Sequence, residues 1–147
     1  YGTSAFGEGW ALYSEQLALE AGLATDPYDE IGILQSELFR AVRLVVDTGI
    51  HYKKWTREEA MNYMKEKTGM SDTEVRSEIE RYIVWPAQAL SYKVGMLKVL
   101  ELRQLAMDAL GNDFDYKEFH SILLDNGEPP LFILEKLVKN WIALKQS

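Results

Sequence analysis

The sequence predicts an all-α fold, and three observations carry that expectation. Thr56-Arg-Glu-Glu59 and Ser71-Asp-Thr-Glu74 both have the spacing of a capping box. Glycines follow apolar-periodic runs at Gly22, Gly69 and Gly111, where a helix would stop. No stretch alternates apolar and polar residues as a half-buried strand requires.

The elements follow in chain order. A first helix is expected from about Ser4 to Ala21, ending at Gly22. Asp26-Pro27 supplies an N-cap followed by proline at the first helical position, with Asp29 and Glu30 near the positive helix end. This second helix should continue to about Tyr52, carrying Ile33, Leu34, Leu38, Ala41, Val42, Val45 and Val46. The two capping boxes open a third helix ending at Gly69 and a fourth ending near Trp85. Pro86 breaks the fourth and is expected in the first turn of a long fifth helix that reaches Leu110. Asp115 and Glu118 suit the start of a sixth, Asn126 to Pro130 reads as a loop, and a last helix runs from about Leu131 to Lys145. Seven helices on short connections, with no linker or repeat between them, predict one domain over residues 1–147.

Bulk properties narrow the function classes. A chain of 147 residues can bury a real core, and 47% hydrophobic with 27% charged residues is ordinary for a globular protein. The net charge of −7 argues against nucleic acid as a partner, because phosphate binding needs a basic face. The absence of cysteine excludes disulfides, thiolate zinc sites and cysteine nucleophiles. No apolar run approaches the roughly 20 residues of a transmembrane helix, and no secretion-signal pattern opens the sequence. The chain starts at Tyr1, without an initiator methionine, and enters a helix within a few residues. It is therefore expected to be a piece of a longer polypeptide.

Several polar residues do not fit a plain amphipathic pattern. Glu8 and Glu15 lie about 20° apart on one helical face, which they share with Leu12 and Leu19. A carboxylate buried there must be paired, metal-bound or neutral. Gly7 and Gly9 flank Glu8 and weaken the helix, a cost tolerated where a backbone must approach something closely. Alternatively, Glu8 sits in the first turn and complements the helix dipole. In the second helix Arg40, Arg43, Asp47 and His51 share an arc of about 80°. Arg43 and Asp47, and Asp47 and His51, are four apart and can touch, and a carboxylate beside an imidazole would fix its tautomer. The same stripe reads equally as an interhelical salt-bridge network. In the fifth helix Tyr92 and Arg103 share a face about 16 Å apart along the axis, with Gln88 a turn before Tyr92 and Gly95 leaving room beside it. Phenol and guanidinium groups donate well to oxyanions and carboxylates, although a boundary tyrosine is a common structural feature. His120 is expected at the surface or boundary on a short helix, the four tryptophans, Trp10, Trp55, Trp85 and Trp141, in the core or at its boundary, and Lys53 to Lys67 as a solvated face. No glycine-rich phosphate loop, His-Glu-x-x-His motif, nucleophile elbow or calcium loop occurs.

Four segments in this order, AFGEGWALYSE, DPYDEIGILQSELFRAVRLVVDTGIH, RYIVWPAQALSYKVGMLKVLELR and FHSILLDNGEPPLFILEKLV, carry a family likeness. The chain closely resembles the C-terminal part of the bacterial family called domain of unknown function 885, over nearly its whole length. That family looks like zinc peptidases whose third metal ligand is a glutamate on a helix downstream of a His-Glu…His motif. The resemblance implies that Glu8, in GEGWA, is the metal ligand, and that Glu15 is an outer or substrate-facing acid. It also implies that His51, Tyr92 and Arg103 face the same cleft, Tyr92 stabilising the oxyanion and Arg103 pairing with a carboxylate.

The segment that would carry the two histidines and the water-activating glutamate is absent from this sequence. Catalytic zinc needs three protein ligands and a water, so this chain alone is expected to have no hydrolase activity and no tight zinc site. Zinc would be the cofactor of the full-length parent, and a peptide or other small carbonyl compound its substrate. The missing N-terminal half is the expected partner. Its absence would leave an apolar surface that self-association could cover. An extracytoplasmic, envelope-associated location agrees with the resemblance. The competing reading is a helical binding or interaction module without chemistry.

Overall fold

A computed structural model describes residues 3–147, and every regular element among them is helical. The helices are α1 (Ser4–Glu20), α2 (Pro27–His51), α3 (Arg57–Thr68), α4 (Asp72–Val84), α5 (Ser91–Leu110), α6 (Tyr116–Leu124) and α7 (Leu131–Lys145), with short 3-10 turns at Gln88–Leu90 and Gly111–Asp113. Both capping boxes form. Glu59 accepts from the Thr56 backbone N–H at 2.7 Å, and Glu74 accepts from that of Ser71 at 3.0 Å. Asp26 accepts from the Tyr28 N–H at 2.8 Å and Asp115 from that of Glu118 at 2.9 Å, so both cap as the sequence suggested.

One boundary differs. The fifth helix starts at Ser91, five residues beyond Pro86. Ala87 adopts a left-handed conformation (φ 68°, ψ −12°), which no α-helix can contain, and its N–H donates to the buried Asp47 carboxylate at 3.1 and 3.3 Å. A tertiary hydrogen bond to α2 therefore overrides the helix-starting preference of proline.

Two groups of buried side chains make the interior. Phe6, Leu12, Tyr13, Met96, Leu102, Phe119, Leu134 and Val138 join α1, α5, α6 and α7. Val42, Val46, Met64, Val75, Ile79 and Tyr82 join α2, α3 and α4. The apolar set of α2 divides, because Val42 and Val46 are buried whereas Leu34, Leu38 and Val45 are exposed. Trp85 is also exposed, at 59%, and is not the boundary aromatic that its type suggested.

α1 and α5 lie side by side in the same sense. A Cβ on Gly9 would fall 2.4 Å from the Cα of Gly95, and one on Gly95 would fall 1.8 Å from the carbonyl oxygen of Ala5. Only glycine at both positions lets the two backbones meet. Arg103 on α5 reaches Glu20 on α1 towards the other end. The crossing thus sets Glu8 and Tyr92 at one end of the pair and Glu20 with Arg103 at the other.

Gly95→Ala and Gly9→Ala are each expected to destabilise the fold by about 1–3 kcal/mol or more, because the added methyl meets backbone that cannot yield cheaply. Gly32→Ala, at a helical position with nothing within 4 Å of the new Cβ, should instead stabilise by about 0.5–1 kcal/mol. Urea unfolding of the three variants checks both signs.

Candidate functional site

The candidate residues fall into two groups separated along the α1–α5 pair. The first lies where α1, α2 and α5 meet. Glu15 accepts from the Ser36 hydroxyl at 2.9 Å, and Arg40 donates to the Ser36 Oγ at 2.8 Å. The guanidinium of Arg43 sits 4.4 Å from the centroid of the Tyr92 ring and that of Arg40 sits 5.6 Å from it. Arg43 Nη2 also donates to Gln88 Oε1 at 3.1 Å. Arg43 and Asp47 are almost fully buried, 3% and 2% exposed. Both arginines leave Nε buried without an acceptor, so the faces of Tyr92, Phe39 and Tyr82 supply part of what a carboxylate would otherwise give.

Asp47 and His51 do not form the expected pair. The carboxylate of Asp47 is turned to the Ala87 N–H. Burial pushes its pKa up, against the opposing pull of that hydrogen bond and of the His51 and Arg43 charges. His51 Nε2 lies 2.9 Å from the Tyr82 carbonyl oxygen. A carbonyl only accepts, so Nε2 carries the proton and Nδ1 is the ring atom left available. A backbone carbonyl, not the carboxylate, fixes this tautomer.

Glu8 is half-buried. The first turn of α1 contains no acidic residue, because the helix begins at Ser4 and Glu8 belongs to its second turn. The helix-dipole explanation of this carboxylate is thereby weakened. Glu15 and Glu20, the other glutamates of α1, are engaged by Ser36 and Arg103, whereas Glu8 has no hydrogen-bonding or ionic partner among the described residues. Those residues also contain no group of three His, Asp or Glu side chains able to share a metal ion.

Arg103 stands in the second group, away from Tyr92. Its two terminal nitrogens grip Glu20 at 2.7 and 3.0 Å, and its guanidinium lies 5.5 Å from the Tyr13 ring centroid and 6.0 Å from that of Tyr116. The Arg103 hydrogen bond holds the Glu20 carboxyl below the usual range. Tyr13 is fully buried and its hydroxyl lies 2.9 Å from His120 Nε2. Burial raises the Tyr13 phenol, while burial and the nearby Arg103 charge lower the pKa of His120. Sequence reasoning passed over Tyr13 and treated His120 as a plain surface or boundary residue. The Trp10-x-x-Tyr13 aromatic pair was visible, but the contact spans 107 positions and no local spacing announces it.

Two stability predictions follow from these groups. Asp47→Ala removes the acceptor for the Ala87 N–H and a charge beside buried Arg43, and should cost about 1.5–3 kcal/mol, with Asp47→Asn costing less. His120 has a folded pKa below its ordinary 6.5, so the fold favours the neutral ring. Its contribution is complete above pH 6.5 and is lost as pH falls from there through the lowered folded value. Thermal unfolding between pH 7.5 and 5 should show that decline, and His120→Gln should flatten it.

Two solved structures are similar to this chain. One is that of a candidate lipoprotein from Colwellia psychrerythraea, 55% identical, with a TM-score of 0.93 over 95% of this chain and 24% of that one. The other is a candidate lipoprotein of unknown function from Shewanella oneidensis, 28% identical, with a TM-score of 0.88 over 93% of this chain and 25% of that one. The chain thus spans about a quarter of the length of each. No curated protein matches it. No helix among the described residues is long and apolar enough to cross a membrane. The model of the family described as bacterial protein of unknown function, domain of unknown function 885, matches residues 1–138, and the chain belongs to that family.

Proposed function

We propose that this chain is the C-terminal portion of an envelope-associated, zinc-dependent hydrolase, acting on a peptide or another small carbonyl substrate. The observation that carries the reading is Glu8, a half-buried carboxylate beyond the first turn of α1 that finds no partner among the described residues. A hard carboxylate oxygen suits zinc, and Glu8 would supply one ligand while the rest of a longer protein supplies the others. The metal would polarise the substrate carbonyl and make bound water acidic.

The residues of this chain would do the remaining work. Tyr92 lies at the Glu8 end of the α1–α5 pair, where its hydroxyl could donate to a developing oxyanion. Arg43 and Arg40 against its ring would hold it in place. His51, anchored through Nε2, would present Nδ1 as a further polar contact. Glu15 is tied to Ser36 and would order the α1–α2 contact instead of meeting substrate. Arg103 is saturated by Glu20 and has no role in this chemistry.

A non-catalytic interaction module is the second reading. The internal pairing of Glu15, His51 and Arg103 favours it, since polar stripes consumed within the fold need no substrate.

The deciding experiment places this sequence in the Colwellia protein in place of the region it matches. Bound zinc is then measured per chain, with and without Glu8→Ala. The expected result is about one zinc per chain, lost in the variant. Tyr92→Phe should keep the metal and lower kcat about 10²–10³-fold on any ester or peptide substrate the chimera turns over. A chimera without zinc, or one whose zinc survives Glu8→Ala, would leave the interaction module as the better account.

A further inference from the structure

The face of α2 turned away from the core carries an ordered apolar stripe. Ile31, Leu38, Val45 and Tyr52 recur at every seventh position and are 58%, 47%, 40% and 77% exposed, with Leu34 and Ala41 between them. This is the spacing of a helix–helix seam, not of scattered surface residues. Depressions flank it. One is walled by Val42, Val45, Tyr63 and Lys67, and another by Val45, Gly49, Trp55 and Lys53, so the C-terminal half of the stripe has basic neighbours. The helix does not depend on this face to form, because Asp26 caps it, Pro27 starts it and Val42 and Val46 anchor it from the other side.

The charge around the stripe narrows what can cover it. From Asp26 to Phe39 the helix and its cap carry Asp26, Asp29, Glu30 and Glu37 and no lysine or arginine. Glu37 is tied to Lys93 and Asp26 to its cap, so Asp29 and Glu30 are left to flank the apolar residues. These acids repel an anionic lipid surface from the N-terminal half of the stripe. A second copy would set two chains of net charge −7 together. Run antiparallel, it would bring mainly Lys53 to those acids, because Lys54 already donates to the His51 carbonyl at 3.0 Å. Most of each longer protein with this fold lies outside the matched region, which spans 24% and 25% of the two chains.

We propose that the Ile31–Leu38–Val45–Tyr52 face seats an amphipathic helix, basic where it meets Asp29 and Glu30, supplied by the remainder of the longer polypeptide. The inference is independent of zinc.

Single cysteines test it, since the chain has none of its own. Leu38→Cys, Val45→Cys and the control Thr73→Cys are made in the isolated chain and in the Colwellia chimera, and maleimide labelling is timed against a parent without the added cysteine. Labelling of Leu38→Cys and Val45→Cys should slow about tenfold or more in the chimera, while that of Thr73→Cys stays unchanged. The matching substitution in the intact Colwellia protein gives the same readout without a chimera. Adding Asp29→Lys with Glu30→Lys should restore fast labelling in the chimera and leave the isolated chain unaffected. Equal rates in both contexts overturn the proposal. Protection indifferent to the charge reversal overturns the basic contact to Asp29 and Glu30. An isolated chain that sediments as a dimer, and as a monomer after Leu38→Lys, with no protection in the chimera, assigns the face to a second copy.

Discussion

The close approach of Gly9 and Gly95 is the constraint on which the rest of this structure depends. Two helices usually keep their axes 8–10 Å apart because side chains fill the space between them. Here neither backbone carries a side chain at the crossing, and the Ala5 carbonyl fills the space a Cβ of Gly95 would need. Such a contact fixes rotation and register as well as distance. A slip of one residue would drive Met96 or Trp10 into the neighbouring backbone. The lost helix propensity at two glycines, roughly 1 kcal/mol each, is the cost of a precisely set pair. Phe6, Leu12 and Tyr13 on one helix and Met96, Val99 and Leu102 on the other then pack in a single arrangement.

The seam between the two buried groups makes a different compromise. Arg43 and Asp47 could be replaced by apolar residues with no loss of burial, and buried charge seldom adds net stability. What they do is specific. Asp47 holds a left-handed Ala87, and that turn determines where α5 begins and how Tyr92 is aimed. Arg43 spans from the Gln88 side chain to the Tyr92 and Tyr82 rings, so a displacement of α5 would strip it of partners it cannot find elsewhere. A polar contact that is costly when misaligned selects one docking of α5 on α2, where a purely apolar seam would tolerate several.

This division explains what the sequence made legible. Helix starts are local chemistry, and Asp26, Thr56, Ser71 and Asp115 all cap as their types and spacing indicate. Gly69 ends α3 in the left-handed conformation that its position suggested. Of the two glycines beside Glu8, Gly9 makes the close approach they announced, although they did not announce that Gly95 was the other party. A Cβ on Gly7 would meet only ordinary contact with Glu128. Periodicity could place Arg40, Arg43, Asp47 and His51 on one arc, but not say which partner each would find. His51 chose a carbonyl and Asp47 an amide, backbone groups that leave no mark in a sequence. Arg103 and Tyr92 share a helical face yet serve different neighbours, because 11 residues of helix carry them past different parts of α1. The exposed half of the α2 stripe was invisible for a related reason. A pattern shows that a face is apolar and cannot show whether the same chain covers it.

The parallel sense of the central helices adds an electrostatic consequence. α1 meets α5 at Gly9 and Gly95 and again at Glu20 and Arg103, while α7 follows α5 from the Lys98–Glu135 pair to the Gln146–Ala109 hydrogen bond. Three helix N-termini therefore gather at the end that carries Glu8. The same three, α1, α5 and α7, begin without a side-chain cap, while α2, α3, α4 and α6 each have one. Parallel helices set side by side gain nothing from their dipoles, so a fold that gathers uncapped positive ends must offset them with negative charge. Glu8 lies past the first turn, where that field has fallen away, but a substrate oxygen gaining charge near Tyr92 would suit it. At the opposite end the helix C-termini call for positive charge, and Arg103 and Lys145 stand there already engaged with Glu20 and Glu118. Among the described residues the charges at that opposite end are already paired, which is why the functional reading rests on Glu8 and Tyr92 and not on the better-formed cluster around His120.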